Sequence, residues 1–378
     1  MAGVYIHIPF CKKACHYCDF HFSTSLQNKE LMMDAICREI DARKGYLENK
    51  KLSTIYFGGG TPSLLSQDEL KKIIGEIKGH FEIAYDAEIT LEANPDDLTK
   101  GKIKELIGAG INRLSIGVQS FFDEDLERMN RSHDAKQAIQ AVENAQSGGI
   151  NNISIDLIYG LPNLTLDKWK SNLEQAFKLN VSHLSAYCLT IEEKTAFNHF
   201  LKKGKITLPK EPETIEQFEL LMSEAEKHNF IHYEISNFCK EGMQSRHNSS
   251  YWSGEHYLGI GPSAHSYNGV SRQFNVANNM KYIKGIEAVS PDFEMEILTE
   301  ENKYNEYIMT RLRTMWGVSP DIILDSFGKE TCDSFLVVAE PYIISGNLQW
   351  KQDCLVLTKS GKLLADKIAS DLFIAPNP

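Results

Sequence analysis

The sequence of 378 residues lacks a long hydrophobic run, and this absence limits where the protein functions. A transmembrane helix needs roughly 18 or more consecutive apolar residues, and no segment of the chain offers them. The N-terminal stretch also lacks the basic start and extended apolar core of a secretory signal peptide. We therefore expect a cytoplasmic protein with no transmembrane segment, whose thiols stay reduced.

An excess of positive charge is also missing. The chain carries 40 Lys and Arg against 51 Asp and Glu, which gives a formal net charge of -11. Such an acidic protein has no general attraction to nucleic acids or anionic lipids, and binding to either would require a local basic patch. Because the Lys and Arg residues are dispersed, we expect no nucleic-acid partner.

Short runs of β-branched and aromatic residues recur along the chain, and amphipathic stretches lie between and after them. The runs cover residues 4–8, 54–57, 87–93, 113–118, 152–157 and 183–189. The helical patterns cover residues 31–47, 68–78, 102–109, 135–147, 166–179 and 214–228. This succession of strand–helix units predicts an α/β fold with a parallel sheet, either open or curled into a partial barrel.

The pattern changes near residue 231. Residues 232–285 are rich in Gly, Asn, Ser, His and aromatic side chains, which predicts long ordered loops. Beyond them, helical patterns at 303–315, 320–327 and 362–372 accompany a predicted hairpin turn at Gly346-Asn347, between two strand-like runs. We therefore divide the chain into a partial barrel (1–230), a loop-rich connecting region (231–298) and a small mixed α/β domain that resembles a winged helix (299–378).

Winged-helix-like units often bind DNA, and a DNA-binding unit needs an excess of positive charge. Residues 300–378 carry eight Lys and Arg against eleven Asp and Glu. A net negative charge argues against a DNA-binding role for the predicted third domain.

Three of the eight cysteines, Cys11, Cys15 and Cys18, lie in one loop directly after the first predicted strand. Three thiolates at this spacing can bind one cubane iron–sulfur cluster and leave its fourth iron open for a ligand. On spacing alone two alternatives remain: a zinc site with His16 or His21 as fourth ligand, and chance clustering of structural cysteines. The other cysteines are expected to be small buried side chains: Cys37, Cys188, Cys239, Cys332 and Cys354.

Other unusual stretches follow the remaining predicted strands. They are Gly58–Pro62, Glu92–Pro95, Gly117–Ser120, Asp156 with Gly160–Pro162, and Tyr187–Thr190. Singly, each has an ordinary explanation, since a glycine run can be a turn and an acid can be a solvated charge. In a parallel β/α barrel, however, the carboxyl ends of the strands form one face, and that face carries the active site.

The residue types at these strand ends suit a polar ligand. A glycine triplet exposes backbone N–H groups and allows close approach of the ligand. Glu92 and Asp156 suit hydroxyl or ammonium groups, and the Gln119 amide can both donate and accept hydrogen bonds. Arg131 can bind a carboxylate through two parallel hydrogen bonds.

The motif Tyr-x-His-Ile-Pro-Phe-Cys-x3-Cys-x-Tyr-Cys at Tyr5–Cys18 resembles the radical S-adenosylmethionine (SAM) superfamily, and more narrowly its coproporphyrinogen III oxidase-like branch. The strand-end motifs match that branch in the same order. The resemblance implies a partial (β/α)6 barrel, a 4Fe–4S cluster on Cys11, Cys15 and Cys18, and SAM chelated to the open iron. The SAM-binding residues that it implies are Tyr5, Gly59, Gly60, Thr61, Glu92, Gln119, Arg131 and Asp156.

This branch contains two groups of proteins with different functions. The oxygen-independent coproporphyrinogen III oxidases, which decarboxylate propionates to vinyl groups, carry another cysteine where this chain has Phe20, and an extension before the motif. Haem chaperones of the HemW type lack both and carry a His-Asn-x-x-Tyr-Trp motif, present here at His247–Trp252. The resemblance therefore favours a haem chaperone that uses an electron donor and delivers haem to acceptor proteins. The oxidase, or a radical enzyme with another substrate, is the alternative.

The region around this motif is the predicted haem site, with His247, Tyr251 and Trp252 as its residues. Imidazole can bind haem iron, and flat aromatic rings can pack on the porphyrin face. His247 is predicted to bind the iron or to orient a ligand, and His265 is a weaker candidate. Alternatively, His247 caps a loop while Tyr251 and Trp252 fill the open side of the barrel.

Overall fold

The computed structural model describes residues 2–374. Residue 1, at the start of the first predicted domain, and residues 375–378, at the end of the third, lie outside it. The strands are β1 (Ala2–Ile8), β2 (Lys51–Gly59), β3 (Glu82–Ala93), β4 (Arg113–Gln119), β5 (Asn152–Tyr159), β6 (His183–Cys188), β7 (Ile231–Glu234), β8 (Asn237–Cys239), β9 (Tyr257–Ile260), β10 (His265–Tyr267), β11 (Ser271–Asn275), β12 (Phe293–Ile297), β13 (Leu348–Lys351) and β14 (Cys354–Leu357). The α-helices are α1 (Lys29–Ala42), α2 (Gln67–His80), α3 (Lys100–Ala109), α4 (Asp123–Arg128), α5 (Ala135–Gly148), α6 (Leu166–Lys178), α7 (Ala196–Lys202), α8 (Glu211–Lys227), α9 (Arg246–Ser253), α10 (Asn279–Glu287), α11 (Glu300–Leu312), α12 (Pro320–Phe327), α13 (Lys329–Ile344), α14 (Lys359–Lys362) and α15 (Ala365–Asp371).

Six parallel strands, β1 to β6, lie side by side in chain order at the centre of the larger sheet. On one side, β9 pairs in parallel with β1, and β10, β11 and β12 continue the sheet in antiparallel fashion. On the other side, β6 pairs with β8, which pairs with β7. The predicted partial β/α barrel is thus confirmed, and additional strands extend both of its sides.

The central strands are buried on both faces because helices cover their outer face and side chains fill the interior. In β5 all but two of the eight residues are buried. The helices outside the barrel each bury one apolar stripe; α5 buries Ala138, Ala141, Val142 and Ala145, at helical spacing. Capping boxes begin α2 at Ser66 and α5 at Asp134, so these two crossover helices start at defined residues.

The prediction of long loops over residues 232–285 is wrong. This segment contains most of β7, then β8, β9, β10 and β11, the helix α9 and the start of α10. The strands have only three to five residues, and they form by pairing with a preformed sheet edge, as β9 does with β1. Strand formation that depends on a distant partner leaves little trace in local composition.

The C-terminal region contains helices and a two-stranded sheet, and its buried apolar residues, from Tyr304 to Leu372, form a cluster separate from the main core. The predicted hairpin turn at Gly346-Asn347 is wrong. The turn lies at Gln352-Asp353, between β13 and β14, and the apolar run before Gly346 is the helix α13. That run is rich in β-branched residues and contains Pro341, both of which mask a helix.

The strand β1 pairs in parallel with two strands, one near to it in the sequence and one far from it. Gly3 pairs with Thr54 of β2 on one side and with Tyr257 of β9 on the other. The cysteine loop follows β1 directly, so both neighbours fix its position. Within residues 2–374, no helix is long and apolar enough to cross a membrane.

Candidate cofactor sites

The three predicted cluster ligands lie at the carboxyl ends of the central strands, around a cavity of about 460 Å³. Thr61 Oγ1 donates a hydrogen bond to Cys11 Sγ over 3.4 Å, and Arg131 Nη1 lies 3.3 Å from Cys15 Sγ. All three thiols are free and partly buried. Burial raises the pKa of Cys11, and raises that of Cys18 to about 12, so metal binding must displace protons here.

The zinc alternative finds little support in this geometry. Among residues 2–374, no three His, Cys, Asp or Glu side chains converge on a single metal ion. His16 Nδ1 lies 2.8 Å from the Arg128 carbonyl oxygen, and His21 Nε2 lies 2.7 Å from Asn279 Oδ1. A 4Fe–4S cluster binds each cysteine through a different iron, so it does not require the sulfur atoms to converge on one point.

Two half-buried carboxyl groups, Glu92 and Asp156, line this cavity. Glu92 accepts hydrogen bonds from Tyr56 Oη (2.8 Å) and from the Gly59 N–H (3.1 Å), and Asp156 accepts one from Ser115 Oγ (3.3 Å). Burial raises the pKa of Glu92 to about 7 and that of Asp156 to about 6. A ligand with cationic or hydroxyl groups would favour their ionised forms.

Arg131 is held in a position that suits the binding of a carboxylate. Its Nη2 donates to Asn94 Oδ1 and to the Gly117 carbonyl oxygen, both at 2.8 Å, which holds the guanidinium in place. Its Nε is buried and has no hydrogen-bond partner among the described residues. A buried donor left unpaired costs free energy, and an acceptor supplied by a ligand would remove this cost. The site therefore fits the carboxylate of SAM.

Gln119 lies at the edge of the same cavity in an unusual conformation. Its φ is 67°, in the left-handed region, and only 8% of the residue is exposed. A residue other than glycine costs about 1–2 kcal/mol in this region, and such strain is concentrated at functional sites.

Two residues of the glycine triplet, Gly59 and Gly60, line the cavity for a reason other than the one predicted. The Gly59 N–H donates to Glu92, and the Gly60 N–H donates to the Ile8 carbonyl oxygen at 2.9 Å, so the expectation of free amides is wrong. A Cβ on Gly60 would lie 2.6 Å from the Phe10 carbonyl oxygen. The glycines allow β2 to approach the start of the cysteine loop closely.

Most of the predicted SAM residues thus surround one cavity with the cysteines. They are Gly59, Gly60, Thr61, Glu92, Gln119, Arg131 and Asp156. Tyr5 lines a neighbouring cavity instead, to which Glu92 also belongs. Ser115 also lines the cavity, although none of the predicted motifs includes it. The alternation of side chains along a strand indicates its position, because Ser115, Gly117 and Gln119 lie at alternate positions of β4 and share its inward face.

The neighbouring cavity is larger, about 770 Å³, and lies within the usual size range of about 300–1,000 Å³ for small-molecule sites. It shares Asp19, Phe20, Gly59 and Glu92 with the first cavity. Aromatic side chains form much of its wall: Phe20, Tyr251, Trp252, Tyr257, Tyr267, Tyr307 and Phe327. The two predicted haem residues Tyr251 and Trp252 therefore face a space that suits a flat apolar ligand.

His247 does not line this cavity. It is only 1% exposed, its Nδ1 lies 2.8 Å from Thr54 Oγ1, and its Nε2 lies 2.8 Å from Tyr251 Oη. Both ring nitrogens therefore have partners. Of the two roles predicted for His247, these contacts favour orienting Tyr251 over binding iron directly.

A buried acid, Glu88, binds the N-terminus of α9, the helix that carries the His-Asn-x-x-Tyr-Trp motif. Glu88 accepts hydrogen bonds from the backbone N–H groups of Arg246 (3.0 Å) and His247 (3.1 Å), at the first turn of α9. A carboxylate at a helix N-terminus satisfies free amides and complements the helix dipole. The orientation of Tyr251 thus depends on the barrel strand β3.

Histidines of the cavity come from two segments. His265, the weaker candidate, lines it, and so do His7 and His21 from the cysteine-loop region. His232 lies elsewhere, with Nδ1 2.8 Å from Lys362 Nζ. No sequence pattern links His21 with the aromatic cavity, because the cysteine loop and α9 come together only in the folded chain.

Comparisons with known proteins agree with this architecture. The family model of the radical SAM superfamily matches residues 5–176. The haem chaperone HemW of Bacillus subtilis (strain 168) is 38% identical over 97% of this chain and 98% of its own length. HemW of Mycobacterium tuberculosis (strain ATCC 25618 / H37Rv) is 33% identical over 98% of this chain and 94% of its own. The solved structure of coproporphyrinogen III oxidase (HemN) from Escherichia coli has a TM-score of 0.85 at 22% identity, covering 98% of this chain and 90% of that one, which shows a shared fold.

Proposed function

Because the chain belongs to the haem chaperone HemW family of radical SAM proteins, we propose that it binds a 4Fe–4S cluster, SAM and haem, and delivers haem to acceptor proteins. The observation that carries the proposal is the pair of adjoining cavities. One combines three thiols with acids and a half-buried arginine, and the other is large and lined by aromatic rings. The second cavity leaves room for a flat apolar ligand in addition to SAM.

Cys11, Cys15 and Cys18 are the proposed ligands of three irons. When bound, such a cluster supplies an open iron for SAM and an electron for its reduction. Arg131 would orient the carboxylate of SAM through its unpaired Nε, while Glu92 and Asp156 would bind hydroxyl or ammonium groups from below. Thr61 and Arg131 hold Cys11 and Cys15 in place, and Gln119, Gly59 and Gly60 complete the wall.

The proposed function also requires two kinds of protein partner and a reducing location. The cluster requires an electron donor, and delivery requires haem-accepting proteins. A cytoplasmic location fits this chemistry, because cluster assembly needs reduced cysteines and all eight cysteines of the chain are free.

The proposal is tested by adding two ligands separately to the anaerobically purified protein. Haemin is expected to give a saturable Soret band with one site per chain. Coproporphyrinogen III, with SAM and a reductant, is expected to give no protoporphyrinogen IX by chromatography. Phe20, in the place of the additional oxidase cysteine, supports this second expectation. Stoichiometric conversion would establish the alternative function, the oxidase.

In the haem site we propose that Tyr251 and Trp252 contact the porphyrin and that His247 orients Tyr251. The His247→Ala protein is expected to bind haemin about tenfold more weakly, because Tyr251 Oη loses its 2.8 Å partner. The measurement is a haemin titration followed by the Soret band. His199→Ala, at an exposed position on α7, is the control and should bind as the wild type does. A folded His247→Ala protein with unchanged affinity would remove His247 from the site.

A further inference from the structure

The larger cavity has a distinct charged end, formed by one face of α11. Lys303, Glu306, Tyr307, Thr310 and Arg311 line the cavity from this helix. Their spacing of three and four residues places them on a single face. Arg272 of β11 lies opposite, so this end of the cavity is formed between the extended sheet and the C-terminal helices.

Positive charge predominates at this end. Its lining contains three cations, Arg272, Lys303 and Arg311, and one acid, Glu306. Glu306 pairs with Arg272 and Glu300, outside the lining, pairs with Lys303, each over 2.8 Å, so Arg311 is the cation of this end without an ion pair among the described residues. The acids of the opposite end, Asp19 and Glu92, lie next to the cysteine loop. In a chain with a net charge of -11, three cations around one cavity form a local site for an anion.

Arg311 is held in a position that leaves its terminal nitrogens available. Its Nε donates to the Gly317 carbonyl oxygen over 3.2 Å, and the Nη atoms have no hydrogen-bond partner among the described residues. Arg272 lies 5.8 Å above the ring of Tyr267, which fixes its guanidinium beside the aromatic wall. Both guanidinium groups are therefore oriented before a ligand arrives.

Haem has a matching distribution of charge, with a flat apolar body and two propionate carboxylates at one edge. We infer that Arg272, Lys303 and Arg311 bind these propionates, so that haem lies with its propionate edge at α11 and its opposite edge towards Glu92 and the cysteine loop. This inference rests on the proposed function, because it assigns an orientation to the haem bound in the aromatic cavity. Haem held in this way would link the sheet to the C-terminal helices through its carboxylates.

The test combines protein variants with an altered ligand, using the full-length protein. Arg311→Gln and Arg272→Gln are each expected to weaken haemin binding about tenfold, and the double variant about a hundredfold. Haemin dimethyl ester, whose carboxylates are masked, is expected to bind the wild type about a hundredfold more weakly than haemin, and to bind the variants no worse than the wild type. Arg38→Gln, an exposed site on α1, is the control.

The outcomes separate this inference from the function on which it rests. If the wild type gives no Soret band with haemin, both fail. If the wild type binds haemin but the ester binds equally well, or if both arginine variants keep wild-type affinity, the orientation alone is overturned. If the variants lose affinity for the tetracarboxylate coproporphyrin III and keep it for haemin, the cations serve a different porphyrin and the inference is wrong. Lys303→Gln and Arg311→Lys serve as alternatives should an arginine variant fail to fold.

Discussion

A Cys15→Ser protein reconstituted anaerobically is expected to lose its four-iron cluster almost entirely. The wild type should contain about four iron and four sulfide per chain, and the variant less than about one of each. Serine has nearly the size of cysteine, and its hydroxyl can accept the hydrogen bond that Arg131 makes with Cys15 Sγ at 3.3 Å. The fold should therefore persist while the thiolate ligand is lost.

The control for this experiment is Cys354→Ser, which changes a partly exposed thiol in the C-terminal region. It should keep the iron and sulfide content of the wild type. A full cluster in Cys15→Ser would show that Cys15 is not a ligand. Loss of the cluster in both variants would show that serine substitution harms reconstitution in general, so the comparison between the two decides the assignment.

The second large effect is expected on SAM binding. Asp156→Asn should weaken the affinity for SAM by about tenfold to a hundredfold, because it removes a half-buried negative charge from the cavity wall. Equilibrium dialysis with the cluster-loaded protein gives the dissociation constant. The exposed Asp167→Asn on α6 is the matched control. Equal affinity in Asp156→Asn and the wild type would place SAM away from this residue.

The neighbouring acid adds a dependence on pH. Burial raises the pKa of Glu92 to about 7 in the free site, so the group is largely protonated below that pH. If SAM binds the ionised form, its affinity must rise with pH, by up to about tenfold per unit below pH 7, and level off above it. The ratio of wild-type to Glu92→Gln affinities isolates this contribution. A ratio independent of pH between 6 and 8 would show that Glu92 does not ionise on binding.

The central part of the fold was predictable because its signals are local. Each of the six parallel strands is a short apolar run before a helical pattern, and the rule that active sites lie at the carboxyl strand ends brought Glu92, Gln119 and Asp156 to the cysteines. The strands between residues 232 and 285 were not predictable, because they depend on pairing with β1 and β6.

The interactions of individual groups were also beyond sequence patterns. The glycine amides are occupied by Glu92 and by the Ile8 carbonyl oxygen, and His247 is enclosed by Thr54 and Tyr251. Each of these contacts joins positions far apart in the chain. A motif indicates which residues are brought together, but the geometry of the folded chain determines which of their atoms remain available to a ligand.

The pairing of β1 with β9 has a consequence for how the protein matures on the ribosome. Tyr257 is synthesised about 250 residues after its partner Gly3, which takes on the order of ten seconds or more. During that interval one edge of β1 is unpaired, so the strand that leads into the cysteine loop is held by β2 alone. The cavity around the cysteines is lined by residues between 11 and 192, whereas the aromatic cavity needs residues as far as Phe327. The walls of the first cavity are therefore synthesised well before those of the second, and the aromatic cavity is completed late in the biogenesis of this protein.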